Sequence, residues 1–207
     1  MQLIDFVKVY PNAIPEFACD YFIHFYEQNK DNAERYEGKG MKFQPTFNQI
    51  IFTDYYFGTP LWDNNELFNN QVANLINNYA KHYVESLGLA ETFPPNVVNE
   101  KLRVKKYILN GEDEFPLHVD TYCSQSSVRC LSMLAYLNTV DEGGETLFPS
   151  LGLKVKPTKG TLMIFPSNWM FPHIGTKPVS EEKYLLSTYW HMTPFENMKL
   201  DKVGNPP

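Results

Sequence analysis

Three side chains in this sequence could hold a reactive metal: His118, Asp120 two positions on, and His173, 53 residues beyond the aspartate. Two imidazoles and one carboxylate are the donors of a non-haem Fe(II) centre, and three protein ligands leave three octahedral positions open to small molecules. A structural zinc site closes all four of its positions with protein, so this set suits chemistry at an open metal better than structural support. Alternate residues of a strand share a face, which lets His118 and Asp120 reach one ion while Val119 packs behind them. With five His in the chain a His-x-Asp pair readily arises by chance, and its surroundings must decide.

Those surroundings are β-rich. From residue 96 onward short apolar runs alternate with turn residues, predicting strands at 103–109, 115–120, 129–138, 145–148, 153–156, 160–166 and 183–191. The first half reads differently. A short alternation over 6–10 leads through Pro11-Asn12 to a helix from Pro15 and Glu16 to about Gln28, with Phe17, Tyr21 and Phe25 as its apolar face. Residues 34–44 read as a polar loop and 47–56 as a strand-like segment. Val72, Leu75, Ile76, Tyr79, Tyr83 and Val84 then recur at helical spacing within 64–87, with Gly88 placed to stop the helix. Helices followed by closely spaced strands predict a mainly β fold with flanking helices: a jelly-roll core with N-terminal helices packed on one sheet. The expected organisation is one domain over 1–207, with helical support at 1–95, a catalytic core at 96–192 and a tail at 193–207.

A net charge of −6, with no dense run among the 18 Lys and Arg, argues against nucleic acid as a partner. No stretch approaches the length of a membrane span, and the start lacks the basic and apolar pattern of a secretory leader. Cys19, Cys123 and Cys130 form no paired pattern, which predicts reduced thiols and a cytoplasmic setting.

The order of residues in the strand region is more specific than its composition. Arg129 to Asn138 leads into Asp141-Glu-Gly-Gly-Glu-Thr146-Leu-Phe-Pro149 and then Gly160-Thr-Leu-Met-Ile-Phe-Pro-Ser167. This stretch, over about 100–192, closely resembles the core of the prolyl 4-hydroxylases, Fe(II)/2-oxoglutarate dioxygenases built on a double-stranded β-helix. The resemblance implies Fe(II), 2-oxoglutarate and O₂, with ascorbate as reductant, and His118, Asp120 and His173 as iron ligands. It places Lys183, ten residues after His173, on the far carboxylate of 2-oxoglutarate, with Tyr136 and Thr146 helping to hold it and Tyr107 lining the same pocket. A buried dicarboxylate needs such a cation, because pairing and hydrogen bonds offset the desolvation of both charges.

Arg129 and His191 fall on positions at the family's peptide site, and they favour a proline-containing protein or peptide as substrate. Lysine rather than arginine at 183 points the same way, since hypoxia-sensing relatives usually carry arginine. Two departures stand out. The family's tryptophan six residues after the basic residue is Tyr189 here, with Trp190 next to it, so that either the strand bulges or tyrosine takes the role. Phe115 replaces a tyrosine close to the substrate in plant-type enzymes. A free amino acid, a lysyl side chain or a small metabolite is the alternative substrate. A non-catalytic jelly-roll domain is the alternative from another class, but it predicts broken ligands, and all four metal and clamp residues are present.

Overall fold

The computed structural model describes residues 1–38, 45–51, 62–109, 111–124 and 126–192, with only the backbone described over 62–70. Twelve strands are assigned among them. They are β1 (Lys8–Tyr10), β2 (Glu34–Glu37), β3 (Thr46–Ile51), β4 (Val97–Asn99), β5 (Arg103–Tyr107), β6 (Phe115–His118), β7 (Arg129–Tyr136), β8 (Thr146–Phe148), β9 (Leu153–Val155), β10 (Leu162–Pro166), β11 (His173–Gly175) and β12 (Lys183–Met192). All their pairings are antiparallel. The larger sheet runs β1-β10-β7-β12-β5-β3-β2, with β4 also on β12, and the smaller runs β6-β11-β8-β9. Leu134, Tyr136, Met163, Phe165 and Leu185 of the larger sheet form one buried cluster with Phe148 and Val155 of the smaller, so the sheets face each other. This is the double-stranded β-helix that the sequence predicts, with antiparallel sheets enclosing a core.

The outer face of the larger sheet is covered by two helices, α1 (Glu16–Gln28) and α2 (Trp62–Ser86). Val104, Leu131, Met133, Leu162, Ile164 and Leu186 alternate with the inward residues of their strands and pack on Phe22, Ile76 and Tyr83. In α1 the buried stripe is Ala18, Cys19, Phe22, Phe25 and Tyr26, while Phe17 is 67% exposed. The expected Phe17–Tyr21–Phe25 face is therefore rotated: steps of three and four from Ala18 reach Phe22, Phe25 and Tyr26, and Phe17 falls outside that arc. The C-terminus of α2 ends as expected. Gly88 is left-handed (φ 68°), and the Leu89 and Gly88 amides bond the carbonyls of Val84 and Glu85, closing a Schellman turn.

Other departures from the sequence reading are local. Residues 34–37 form an edge strand where a polar loop was expected, and β4 and β11 are short strands without an apolar alternation of their own. The expected tail and the end of the 47–56 segment lie outside the described residues. Strand β12 organises the whole sheet, because one of its edges pairs with β7 and the other with β5 and then β4. Its odd-numbered residues, Lys183 to His191, face the smaller sheet, and its even-numbered residues face the helices.

Candidate metal and cosubstrate site

His118 ends β6 and His173 begins β11, and the two are direct register partners in that antiparallel pair. Cross-strand neighbours on one face sit side by side, and these rings are 4.2 Å apart. Strand β6 stops at His118, so Asp120 is presented from the bend that follows and not from the strand itself. The ligand atoms of His118, Asp120 and His173 all lie within 4.8 Å of one another, and all three residues are buried.

Each imidazole is aimed by the backbone. Nδ1 of His118 lies 2.8 Å from the Pro116 carbonyl and Nδ1 of His173 lies 3.1 Å from that of Phe171. A carbonyl can only accept, so it fixes the proton on Nδ1 and leaves the Nε2 lone pair free to ligate. Both Nε2 atoms face the Asp120 carboxylate, at 3.6 and 3.8 Å. Burial, reinforced by His118, lowers the pKa of His173 to about 4, so its ring is neutral at pH 7. Burial opposes ionisation of Asp120, but His173, His118 and a hydrogen bond from Ser132 outweigh it and hold the carboxyl below its usual range. The donor set is thus fit for a divalent cation.

Asp120 is itself anchored. The Ser132 hydroxyl donates to Oδ2 at 2.5 Å and contacts the Ser167 hydroxyl at 2.8 Å, while the Tyr189 hydroxyl lies 3.4 Å from Oδ1. Tyr189 faces the site from β12. Trp190, also expected beside the substrate, points the other way: its Nε1 donates to Asn77 Oδ1 of α2, and its ring packs near Phe93. Adjacent strand residues cannot share a face, and the irregularity in β12–β7 pairing comes only after Trp190.

A narrow recess runs from the metal ligands to Lys183 and is lined by Tyr107, Thr146 and Leu185 among others. Lys183 is 1% exposed, and burial, with Lys105 adding repulsion, lowers its pKa to about 7. Glu145, whose field pulls the other way, is engaged by Lys154 and Thr176. The ammonium sits 5.1 and 5.6 Å from the Tyr107 and Tyr136 ring centres. The Tyr136 hydroxyl donates to Thr146 Oγ1 at 2.7 Å, which leaves the threonine proton for another acceptor. A cation held dry beside two hydroxyl-bearing side chains, with metal ligands at the opposite end, is matched to a dianion that bridges the two.

The recess opens into an outer cavity of about 310 Å³ between β3, β5 and the segment after Asp120. Arg129 lines it, but its guanidinium is already committed: Nε and Nη2 grip both oxygens of Glu100 at 2.5 and 2.9 Å, Nη1 donates to the Asp120 carbonyl, and the Tyr189 ring lies 3.9 Å beneath. His191 is not among the residues that line the cavity; it pairs with Arg129 across β12 and β7, and its Nδ1 lies 3.9 Å from Glu100. The sequence reading did not pick out Ser132, Glu100 or Lys105. Lys105 was within reach, since it lies two residues before Tyr107 and must share its face, whereas Lys106 turns to Glu27 and Glu182 on the helix side.

Residues 102–191 match the model of the 2OG-Fe(II) oxygenase superfamily, a span that contains the three candidate metal ligands and Lys183. Over that span the chain is similar to members of that superfamily. The chain is 32% identical over 139 residues to probable prolyl 4-hydroxylase 9 of Arabidopsis thaliana, an alignment covering 54% of this chain and 47% of the relative. The chain therefore spans about half the length of the curated relatives it matches. Among solved structures, it resembles the viral collagen prolyl hydroxylase of Paramecium bursaria Chlorella virus-1 in complex with 2-oxoglutarate (TM-score 0.64, 19% identity, 91% of this chain and 97% of that one). It also resembles the Trichoplax adhaerens prolyl hydroxylase in complex with a hypoxia-inducible-factor peptide fragment (TM-score 0.68, 16% identity, 91% and 84%). Similarity to the superfamily implies Fe(II) and 2-oxoglutarate as cofactor and cosubstrate, and a His-Asp-His set is in place in this chain. No helix among the described residues is long and apolar enough to cross a membrane.

Proposed function

We propose that this protein is an Fe(II)/2-oxoglutarate-dependent dioxygenase that hydroxylates prolyl residues, at C4, in a protein or peptide. One observation carries the proposal: the clustered His118, Asp120 and His173 and the buried Lys183 stand at opposite ends of a single recess that opens to a solvent-facing groove. The similarity to prolyl 4-hydroxylases supports the choice of substrate.

His118, Asp120 and His173 would hold the iron, and Lys183 with Thr146 would receive the far carboxylate of 2-oxoglutarate. When bound, iron and cosubstrate supply the oxidising chemistry: 2-oxoglutarate and O₂ become succinate and CO₂, and one oxygen atom enters the substrate C–H bond. Ascorbate is the proposed reductant. The chain's own contribution is placement and exclusion of water. Phe148 and Phe165 wall the side of His173 away from the groove, with ring centres 5.5 and 4.9 Å from it, and Phe115 stacks on His118. Tyr189, held by Arg129, forms the wall shared by recess and groove. No side chain in this arrangement is required as a general base. Cys19 and Cys130 are free thiols, which suits a reducing, cytoplasmic setting.

Anaerobic addition of Fe(II) and 2-oxoglutarate should produce a weak visible charge-transfer band, and air should then give a +16 Da product on a proline-rich peptide. Succinate formed with every proline peptide left unmodified would overturn the prolyl substrate while sparing the oxygenase.

A further inference from the structure

Lys105 is buried (6% exposed) in the middle strand of the site's floor, and it lines both the recess and the outer groove. Three cations line that groove. Arg129 and Arg103 both bond to Glu100, so their charge is met within the chain. Among the described residues Lys105 makes no ion pair within 4 Å and no hydrogen bond, although the carboxylates of Asp120 and Glu100 act on it from farther away. Its ammonium rests 4.9 Å from the ring centre of Phe47 and 5.6 Å from that of Phe115. Lys183 is likewise unmatched, and 2-oxoglutarate accounts for it.

The sheet register separates the two lysines. Tyr107 pairs with Lys183, Leu185 with Lys105, and Ser187 with Arg103, so Lys105 stands one inward step nearer the groove than the clamp. Residues two apart on a strand are about 6.6 Å apart. A lysine at this step is costly to bury, and aromatic faces return only part of its lost hydration. An anion arriving from the groove would meet it beside the metal ligands.

We propose that Lys105 is a specificity-determining residue that binds a carboxylate of the substrate next to the carbon that is hydroxylated. The inference rests on the prolyl reading and narrows it: the target proline carries a neighbouring negative charge. The carboxylate can belong to an acidic side chain flanking the proline or to the α-carboxylate of a C-terminal proline.

The test uses the Fe(II)- and 2-oxoglutarate-loaded protein without oxygen, with peptide binding measured by titration calorimetry. Four peptides form two acid and amide pairs around one proline: capped Asp-Pro with its isostere Asn-Pro, and a chain ending in proline with a free or an amidated terminus. Wild-type protein should bind at least one carboxylate form about tenfold or more tightly than its amide partner, the scale of one charge-assisted hydrogen bond. The pair showing the preference identifies the source of the carboxylate. Lys105→Met keeps the stem between the two rings and should abolish the preference, while Lys105→Arg should retain much of it. Lys105→Gln serves if the methionine variant melts early. Titration of 2-oxoglutarate without peptide should change far less than the peptide preference, because Lys105 stands one inward step away from the clamp. Equal binding of acid and amide peptides, a preference that survives Lys105→Met, no peptide binding at all, or a comparable loss of 2-oxoglutarate affinity would each overturn the role. Aerobic mass spectrometry separates the two proposals. A Lys105-dependent acid preference without any +16 Da product sinks the prolyl reading alone, and +16 Da on acid and amide peptides alike sinks the Lys105 role alone.

Discussion

His173 lies directly opposite His118 in the antiparallel pair of β11 and β6, with Nε2 of both rings turned toward the Asp120 carboxylate. Two ligands far apart in sequence are thus fixed by a backbone ladder, and the third by a short segment leaving one of those strands. Replacing His118 or His173 with Ala is expected to abolish both the charge-transfer band and succinate formation, with the melting temperature little changed. A variant that kept the band would overturn the metal assignment.

Ser132 tests the anchoring of the third ligand. Its hydroxyl bonds Asp120 Oδ2, so Ser132→Ala frees the carboxylate to rotate, and Fe(II) affinity should fall about 10–100-fold. Anaerobic Fe(II) titration reads this directly, and affinity within twofold of wild type would show that Asp120 is held by other contacts.

Removal of the clamp cation should act on the cosubstrate. Lys183→Ala is expected to weaken 2-oxoglutarate binding by about 2–5 kcal/mol, as for one partner of a buried charge pair. Fe(II) affinity measured without 2-oxoglutarate should be nearly unaffected. Tyr136→Phe leaves Thr146 in place, so the loss there should be only about 0.5–1.5 kcal/mol.

The same lysine makes cosubstrate binding pH-dependent. Its pKa is lowered from 10.5 to about 7 by burial and by Lys105, and a bound dianion favours the charged form, so binding should take up protons above pH 7 and weaken as pH rises. Calorimetry at pH 8 in buffers of different ionisation enthalpy measures the uptake. For the cosubstrate-free fold the sign is opposite. Between about 7 and 10.5 the unfolded chain binds more protons at this site than the folded one, so this lysine's contribution to stability rises with pH across that window. Proton release on 2-oxoglutarate binding would contradict this account.

Arg129 is expected to stabilise the fold as well as to border the substrate. Lysine cannot reproduce the two-pronged grip on Glu100 or the stacking on Tyr189, so Arg129→Lys should lower unfolding stability by about 1–3 kcal/mol in urea titrations. An unchanged midpoint would confine Arg129 to substrate contact.

The parts of this site that follow from local pattern could be read in the sequence. His118, Asp120, His173 and Lys183 share one buried region because strand alternation and motif spacing constrain them. Tertiary partners could not be read in that way. Glu100 binds Arg129 across 29 residues, and Asn77 of α2 holds Trp190 away from the groove, although a strand face alone left Tyr189 and Trp190 equally eligible. The exposure of Phe17 has the same origin: helical periodicity defines candidate faces, and the docking partner chooses among them. Strand β11 has only three residues and no apolar alternation, so its pairing with β6 comes from the ladder and not from its own composition.

Lys183, Leu185 and Tyr189 all project from β12, with Trp190 and Leu186 on its reverse side. Inserting one residue just after Lys183 would exchange the two sets beyond that point, aiming the next side chains at the helices and offering the wall of the recess a tryptophan it has no room for. Length changes inside this strand are therefore all-or-nothing for this protein. Variation that preserves the chemistry must be substitution within β12 or insertion in the turns that flank it.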